Sequence, residues 1–136
     1  MLITDAAAVD GPAALHRRAD FSPAELHAGR PLYFVQHDNR ATNEVTYQLQ
    51  WREGRGASAG GGSVAFENVS AVKLYLVTLF APGDVQSVII LEPLAPGQWG
   101  YRSVTGIRQV GLGGVERYRA SYVNRAVAMF EHVSRP

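Results

Sequence analysis

The sequence of 136 residues contains no cysteine. Disulfide bonds, thiolate catalysis, zinc–thiolate sites and iron–sulfur clusters are therefore excluded. Lysine is almost absent, because Lys73 is the only lysine among thirteen basic residues. The arginines are scattered and the formal net charge is +1, so the chain lacks the basic stripe that is typical of electrostatic binding to nucleic acids or acidic membranes. We expect no nucleic-acid partner, and no cofactor is predicted.

Long apolar runs are also missing. No stretch approaches the ~20 apolar residues that a membrane-spanning helix needs, and the N-terminus has neither the basic region nor the apolar core of a signal peptide. We therefore expect no membrane span. The cytoplasm is the default compartment, although an exported domain whose leader has been removed would have the same composition. With 46% apolar residues, the chain suits a single domain covering residues 1–136.

Two short helices are predicted in the first thirty residues. The first lies within 10–20, where Pro12 suits the first helical position. The second begins after Ser22, because Glu25 follows three residues later and the two form the pattern of a capping box. Gly29 supplies the left-handed conformation that ends such a helix.

From residue 31 onward the hydrophobic pattern has a period of two. Residues 44–52 alternate between apolar and polar side chains, with Val45, Tyr47, Leu49 and Trp51 on one face. This alternation is typical of an antiparallel strand with one buried and one solvated face. Further strands are predicted at 32–37, 64–69, 72–80, 85–92 and 98–110.

The end of the chain reads as a helix. Apolar residues recur at three- and four-residue spacing across 115–133, which predicts an amphipathic helix after a glycine-rich break at 111–114. Strands grouped together, with helices at the two ends, indicate the α+β class. We predict one antiparallel sheet of about five to six strands packed on a long C-terminal helix, with two short helices at the N-terminus.

The segment 36–44, QHDNRATNE, is the densest in reactive side chains. His37 and Asp38 are the types of residue that form a general base and its orienting carboxylate, and Glu44 could complete a weak metal site. Adjacent residues of a strand point to opposite faces, however, so His37 and Asp38 are poorly placed to act together. Asp and Asn side chains are also turn formers, so a hairpin loop accounts for the whole segment.

Amphipathic aromatic residues are concentrated on the predicted inward faces of the strands and of the last helix. Buried tyrosine and tryptophan side chains need partners for their polar tips, which fits two structures. One is a plain core with these tips at its rim. The other is a cavity with aromatic walls and a few hydroxyl groups, as in sites for small apolar ligands. The residues predicted to line such a cavity are Tyr47, Trp51, Tyr75, Tyr101 and Tyr122.

The order of these elements resembles the helix-grip fold of the START/Bet v1-like superfamily, over about residues 10–133. That resemblance implies a sheet that wraps the last helix around an apolar cavity. Separately, residues 100–133 resemble the tail of an uncharacterised family of bacterial envelope proteins, through an aromatic-arginine strand, a glycine-containing break and a helix carrying SYVNRAVAMF. This second resemblance implies a bacterial domain of unknown function with exported relatives, and it implies no site residues.

Three functional hypotheses follow. The first is a non-enzymatic domain that binds a small apolar ligand between the sheet and the C-terminal helix. The second is an interaction or structural module with a solid core, which would form a homodimer or bind a partner through a sheet edge or the outer face of the helix. The third is an enzyme that uses His37 and Asp38. A cavity of several hundred Å³ would favour the first hypothesis over the second.

Overall fold

The computed structural model describes residues 3–13, 16–38, 42–55, 59–108 and 115–134. These residues form nine strands and two helices. The elements are β1 (Ile3–Val9), β2 (Arg17–Arg18), α1 (Pro23–His27), β3 (Leu32–Asp38), β4 (Val45–Glu53), β5 (Gly62–Asn68), β6 (Val72–Leu74), β7 (Val77–Phe80), β8 (Val85–Ala95), β9 (Gln98–Ile107) and α2 (Val115–Ser134).

Seven of the strands form one antiparallel sheet in the order β2-β1-β3-β4-β5-β8-β9. Apart from the short strand β2, chain order and sheet order run together, so the sheet is a meander. The remaining strands, β6 and β7, pair with each other as a separate hairpin between β5 and β8. This hairpin and α2 supply side chains that pack on the apolar face of the sheet.

The alternation of β4 places the core on that face. Tyr47 lies opposite Phe34 of β3, and Leu49 lies opposite Phe66 of β5, so these side chains share one face because strand residues alternate. The rings of Phe34 and Tyr47 stack with their centroids 5.2 Å apart, and Phe66 meets both rings edge-on. The buried apolar members of this core cluster are Val45, Tyr47, Phe66, Val72, Phe80 and Val85.

One buried amide joins the sheet to the hairpin. Asn68, at the end of β5, has no solvent exposure. Its Nδ2 donates to the carbonyl oxygens of Ser70 and Ala81, each at 2.9 Å, and its Oδ1 accepts from the backbone N–H of Val85 at 2.9 Å. A buried polar group is tolerated when it is hydrogen-bonded in this way. Asn68 therefore fixes where the hairpin leaves and re-enters the sheet.

The N-terminal region departs from the prediction. Residues 3–9 form β1, which pairs with β3 along almost its whole length, and Arg17–Arg18 form a short strand on the outer edge of β1. Alanine-rich sequence has no strong strand propensity, but an available neighbouring strand overrides propensity. Helix α1 does begin with the capping box of Ser22 and Glu25, and it is only five residues long.

An ion-pair cluster links β2 to the start of α1 and to Asp10. Arg18 contacts the carboxylates of Glu25 and Asp10. The pKa of Glu25 falls to about 2, first because of the hydrogen bond from Arg18 and then because of the backbone N–H of Ser22. The pKa of Arg18 rises in response, chiefly through the same contact with Glu25. All these groups are solvated, so the cluster orients the chain more than it stabilises it.

The predicted fold class is therefore wrong. The prediction was an α+β fold with one sheet of five to six strands packed on a long C-terminal helix, and two short N-terminal helices. The described residues are instead mostly antiparallel sheet, with seven strands in one sheet and two in a hairpin. The region of the first predicted helix holds a turn and β2, and the sheet face is covered by the hairpin as well as by α2. No helix in the described part of the chain is long and apolar enough to cross a membrane.

Candidate functional site

Strand β9 lines one side of a groove. It lies at an edge of the seven-stranded sheet and pairs with β8 along its whole length. Thr105 lies opposite the buried Ser87, and Ile107 lies opposite the buried Val85, so both face the same side as the core. Tyr101 and Ser103 follow on that face by the alternation of the strand. Strand β9 therefore presents two apolar or aromatic side chains and two hydroxyl groups toward α2.

Helix α2 forms the other side. Two adjacent pairs, four positions apart, face β9 across the groove: Tyr122 with Val123, and Ala126 with Val127. Arg119 lies at one end. The groove has a volume of about 510 Å³. This is within the range of about 300–1,000 Å³ that is typical of small-molecule sites.

Small side chains keep the groove open. Val123 and Val127 are 54% and 50% exposed, and Phe130 further along the helix is 45% exposed. Tyr122 reaches the core instead, where its ring meets Phe80 edge-on with centroids 5.7 Å apart. The helix thus touches the core at some positions and leaves an apolar stripe uncovered at others.

The two walls differ in chemistry. The helix wall carries valine, alanine and tyrosine side chains with Arg119 at one end, whereas the sheet wall carries the hydroxyl groups of Ser103 and Thr105 beside Ile107. Thr105 shares a hydrogen bond with Ser87, with 2.9 Å between the two hydroxyl oxygens. A ligand in this groove would therefore meet one apolar side and one side that donates or accepts a few hydrogen bonds.

A smaller cleft of about 20 Å³ continues inward from the groove and is bounded by Tyr101, Tyr122 and Met129. The Tyr101 hydroxyl is shielded from solvent and makes no well-formed hydrogen bond within the described residues. Burial raises the pKa of Tyr101, and the nearby Ser103 hydroxyl lowers it by less. The cleft is large enough for about one water-sized group. A polar atom of a bound molecule could therefore form a hydrogen bond with the Tyr101 hydroxyl there.

The structure brings together only two of the five predicted ligand residues. Tyr101 and Tyr122 both line the inner cleft. Tyr47 is buried in the core against Phe34. Trp51 lies near the end of β4, where its indole N–H donates to Glu53 at 3.1 Å. Tyr75 is 80% exposed in the turn between β6 and β7, and it lines neither the groove nor the inner cleft.

The groove residues that sequence reasoning missed are Ser103, Thr105, Ile107, Arg119, Val123, Ala126 and Val127. Two signals for them were present. The hydroxyl residues alternate along β9 with the period of a strand, and the two valines are four residues apart on α2. Neither signal names a ligand, because the same spacing also describes an ordinary half-buried surface.

The described residues of the polar segment 36–44 make contacts within the fold. His37 is exposed on β3 and pairs through the backbone with Asp5, while the Asp38 side chain and residues 39–41 lie outside the described part. Asn43 accepts from the N–H of Lys73 at 2.8 Å and donates to the carbonyl of Ala71 at 2.8 Å. Within the described residues, no group of three His, Asp or Glu side chains could hold a metal ion.

The groove between β9 and α2 is therefore the feature of the described chain that best fits a binding site. It combines volume, an apolar wall and a row of hydroxyl groups. In comparisons with known proteins, no family model, no curated protein and no solved structure matches this chain.

Proposed function

We propose that the protein is a non-enzymatic binding domain that holds a small, mostly apolar ligand in the groove between β9 and α2. The observation that carries this proposal is the open groove of about 510 Å³ with valines on one wall and hydroxyl groups on the other. An apolar ligand would cover the exposed surfaces of Val123 and Val127. Burying such surface is favourable by about 25 cal/mol per Å².

The polar groups restrict the ligand class. Ser103 and Thr105 lie along one wall of the groove, and the Tyr101 hydroxyl lies in the inner cleft. A ligand with an apolar body and one or two oxygen atoms would match this arrangement, because buried hydroxyl groups need partners. A pure hydrocarbon would leave Tyr101 without one. The proposed ligand is therefore an amphipathic small molecule, with Tyr101 and Tyr122 as its innermost contacts.

Tyr47, Trp51 and Tyr75 take no part in the proposed site, because they lie in the core, at the far end of β4 and in an exposed turn. The aromatic cavity expected from the sequence is thus replaced by a groove with aliphatic and hydroxyl walls.

The first test is native mass spectrometry of the purified full-length chain, followed by solvent extraction of whatever is bound. A near-stoichiometric additional mass that extracts as an apolar or amphipathic molecule would support the proposal. A second test uses cis-parinaric acid as a fluorescent probe. Ala126 lines both the groove and the inner cleft, so Ala126→Trp should fill the space and weaken probe binding about tenfold or more.

The matched control is Ala120→Trp. Ala120 is exposed on the same helix and does not line the groove. It adds the same side chain without occupying the site, so its probe affinity should stay that of the original protein. Equal losses in both variants, or no binding of the probe by the original protein, would contradict the proposed site.

A second candidate function is a homodimer or partner contact through β9. The strand is ten residues long and forms an edge of the sheet in the described chain. Such edges can pair with another strand. Native mass spectra collected over a range of protein concentrations separate the two functions. A dimer without an additional small-molecule mass would favour strand pairing, and a monomer that carries a ligand would favour the groove.

A further inference from the structure

The turn of the β6–β7 hairpin exposes four consecutive apolar residues. Leu74, Tyr75, Leu76 and Val77 are 42%, 80%, 100% and 47% exposed. We refer to residues 74–77 as the hairpin tip. Successive strand residues point to opposite faces, so apolar side chains leave the tip in several directions. A contiguous exposed apolar surface of this kind commonly marks a contact site.

The backbone at the tip is strained. Tyr75 has a φ of +54°, and it is the only non-glycine residue with a positive φ in the described part of the chain. Bulky side chains disfavour this conformation, whereas glycine or asparagine adopts it readily. Two-residue hairpin turns usually use those residues. The sequence thus keeps a large amphipathic ring at a position where the fold alone would favour glycine.

The tip is also held rigidly. The N–H of Tyr75 donates to the Thr42 hydroxyl at 2.6 Å, and the N–H of Lys73 donates to Asn43 at 2.8 Å. At the base of the hairpin, Val72 and Phe80 are buried in the core. The apolar side chains are therefore presented from a braced support, which reduces the entropy lost when they are immobilised by a partner.

The charged residue next to the tip is a lysine. Lys73 is exposed beside the tip, and Arg108 is exposed at the same end of the sheet, where its N–H donates to the carbonyl of Asp84. Among the described side chains at this end of the sheet, Glu44 pairs with Arg17 and Glu67 accepts a hydrogen bond from Gln86, while Asp84 is buried in the turn that follows β7. A partner that is apolar inside and negatively charged at its surface would complement this arrangement.

We propose that the hairpin tip docks into the surface of a lipid bilayer that carries anionic headgroups. A bilayer can surround a convex tip that is apolar on all sides, whereas a flat protein surface would cover one side of it. Apolar side chains enter the headgroup boundary by about 5–10 Å in such contacts. Tyrosine is suited to that boundary, and Lys73 would contact the headgroups. This inference stands independently of the ligand groove.

The test is co-sedimentation of the full chain with two kinds of vesicle, one of phosphatidylcholine alone and one that also contains phosphatidylglycerol. We expect binding to the mixed vesicles that weakens as salt is added. Leu76→Asp should weaken it about tenfold or more, which is the loss expected when one leucine side chain no longer leaves water. Lys73→Gln should reduce binding to the anionic vesicles selectively.

The matched control is Leu94→Asp. Leu94 is 68% exposed and lies in the β8–β9 hairpin, at the opposite end of the sheet, so this variant should bind vesicles like the original protein. Circular dichroism checks that each variant is folded, which is expected because Leu76 is fully exposed. Absence of vesicle binding, equal losses from both leucine variants, or a dimer that Leu76→Asp abolishes would overturn the proposal. Ala126→Trp should leave vesicle binding intact even if it removes binding in the groove.

Discussion

The centre of the sheet and its β9 edge have the same alternating pattern but different coverage. At the centre, Tyr47, Phe66 and Val85 are almost completely buried. Opposite the β9 edge, Val123 and Val127 of α2 remain about half exposed. Alternation therefore shows which face of a strand is apolar, but it does not show what covers that face. The first region supports the fold, and the second leaves room for a ligand.

The difference has a simple physical origin. The central strands have neighbours on both sides, and the hairpin adds Val72 and Phe80 above them. Strand β9 has a neighbour on one side, and the helix above it presents small side chains such as Ala126 along the groove. Close packing needs complementary volume from both partners, and here the helix provides too little of it.

The largest expected effect tests the filled centre. Phe66→Ala removes a ring that packs against both Phe34 and Tyr47, so it should lower the free energy of unfolding by about 3–5 kcal/mol. Val127→Ala, at the open edge, should change it by less than about 0.5 kcal/mol. Urea unfolding followed by circular dichroism measures both. Similar values for the two variants would mean that the groove is closed and packed in solution.

An intermediate effect concerns the polar groups of the two regions. Asn68→Ala leaves the N–H of Val85 and the carbonyls of Ser70 and Ala81 without their side-chain partner. A buried group left unpaired costs about 1–3 kcal/mol, so stability should fall by at least that amount. Ser103→Ala, in the groove, should stay within about 0.5 kcal/mol of the original protein. Thermal unfolding of both variants provides the comparison. An Asn68→Ala variant as stable as the original protein would contradict the three hydrogen bonds described for Asn68.

The smallest effect depends on pH. Burial raises the pKa of Tyr101 above its ordinary value of 10.0. Above that pH the unfolded chain ionises this hydroxyl, whereas the folded chain resists its ionisation, so the unfolded state gains. Stability should be unaffected by Tyr101 below about pH 10 and should decline as the pH rises from there through the raised pKa.

Tyr101→Phe removes this contribution and is the natural comparison for it. Its thermal midpoint should fall less steeply above pH 10 than that of the original protein, while the two should differ little at neutral pH. Parallel curves for both proteins throughout the alkaline range would show that the hydroxyl is solvated, which would place the inner cleft in contact with bulk water.

Local signals predicted some elements well. The strict alternation of β4 identified its buried face, and the capping box of Ser22 and Glu25 identified the start of α1. Both signals operate within a few residues, so no distant partner is needed to read them. Residues 3–9 became a strand because β3 pairs with them, and that partner lies about thirty positions away.

The hairpin shows most clearly what sequence reasoning lacks. Residues 72–80 read as one strand because no glycine, proline or asparagine marks a turn at Tyr75 and Leu76. The turn is supported instead by Thr42 and Asn43, which bind the hairpin backbone from about thirty residues away. The inward faces of Tyr101 and Tyr122 could be predicted from their spacing, but the groove depends on the position of α2, which residue patterns do not specify.

The hydrogen bonds from Thr42 and Asn43 to the hairpin also affect the order in which the chain folds. An ordinary β-hairpin closes in about 1–10 μs, because its contacts are local. Here the turn is strained at Tyr75, and the hydrogen bonds that compensate come from the segment before β4. Non-local contacts form only after the intervening chain has been ordered. The β6–β7 hairpin is therefore expected to close after β3, β4 and β5 have assembled, so the apolar tip forms later than the part of the sheet that supports it.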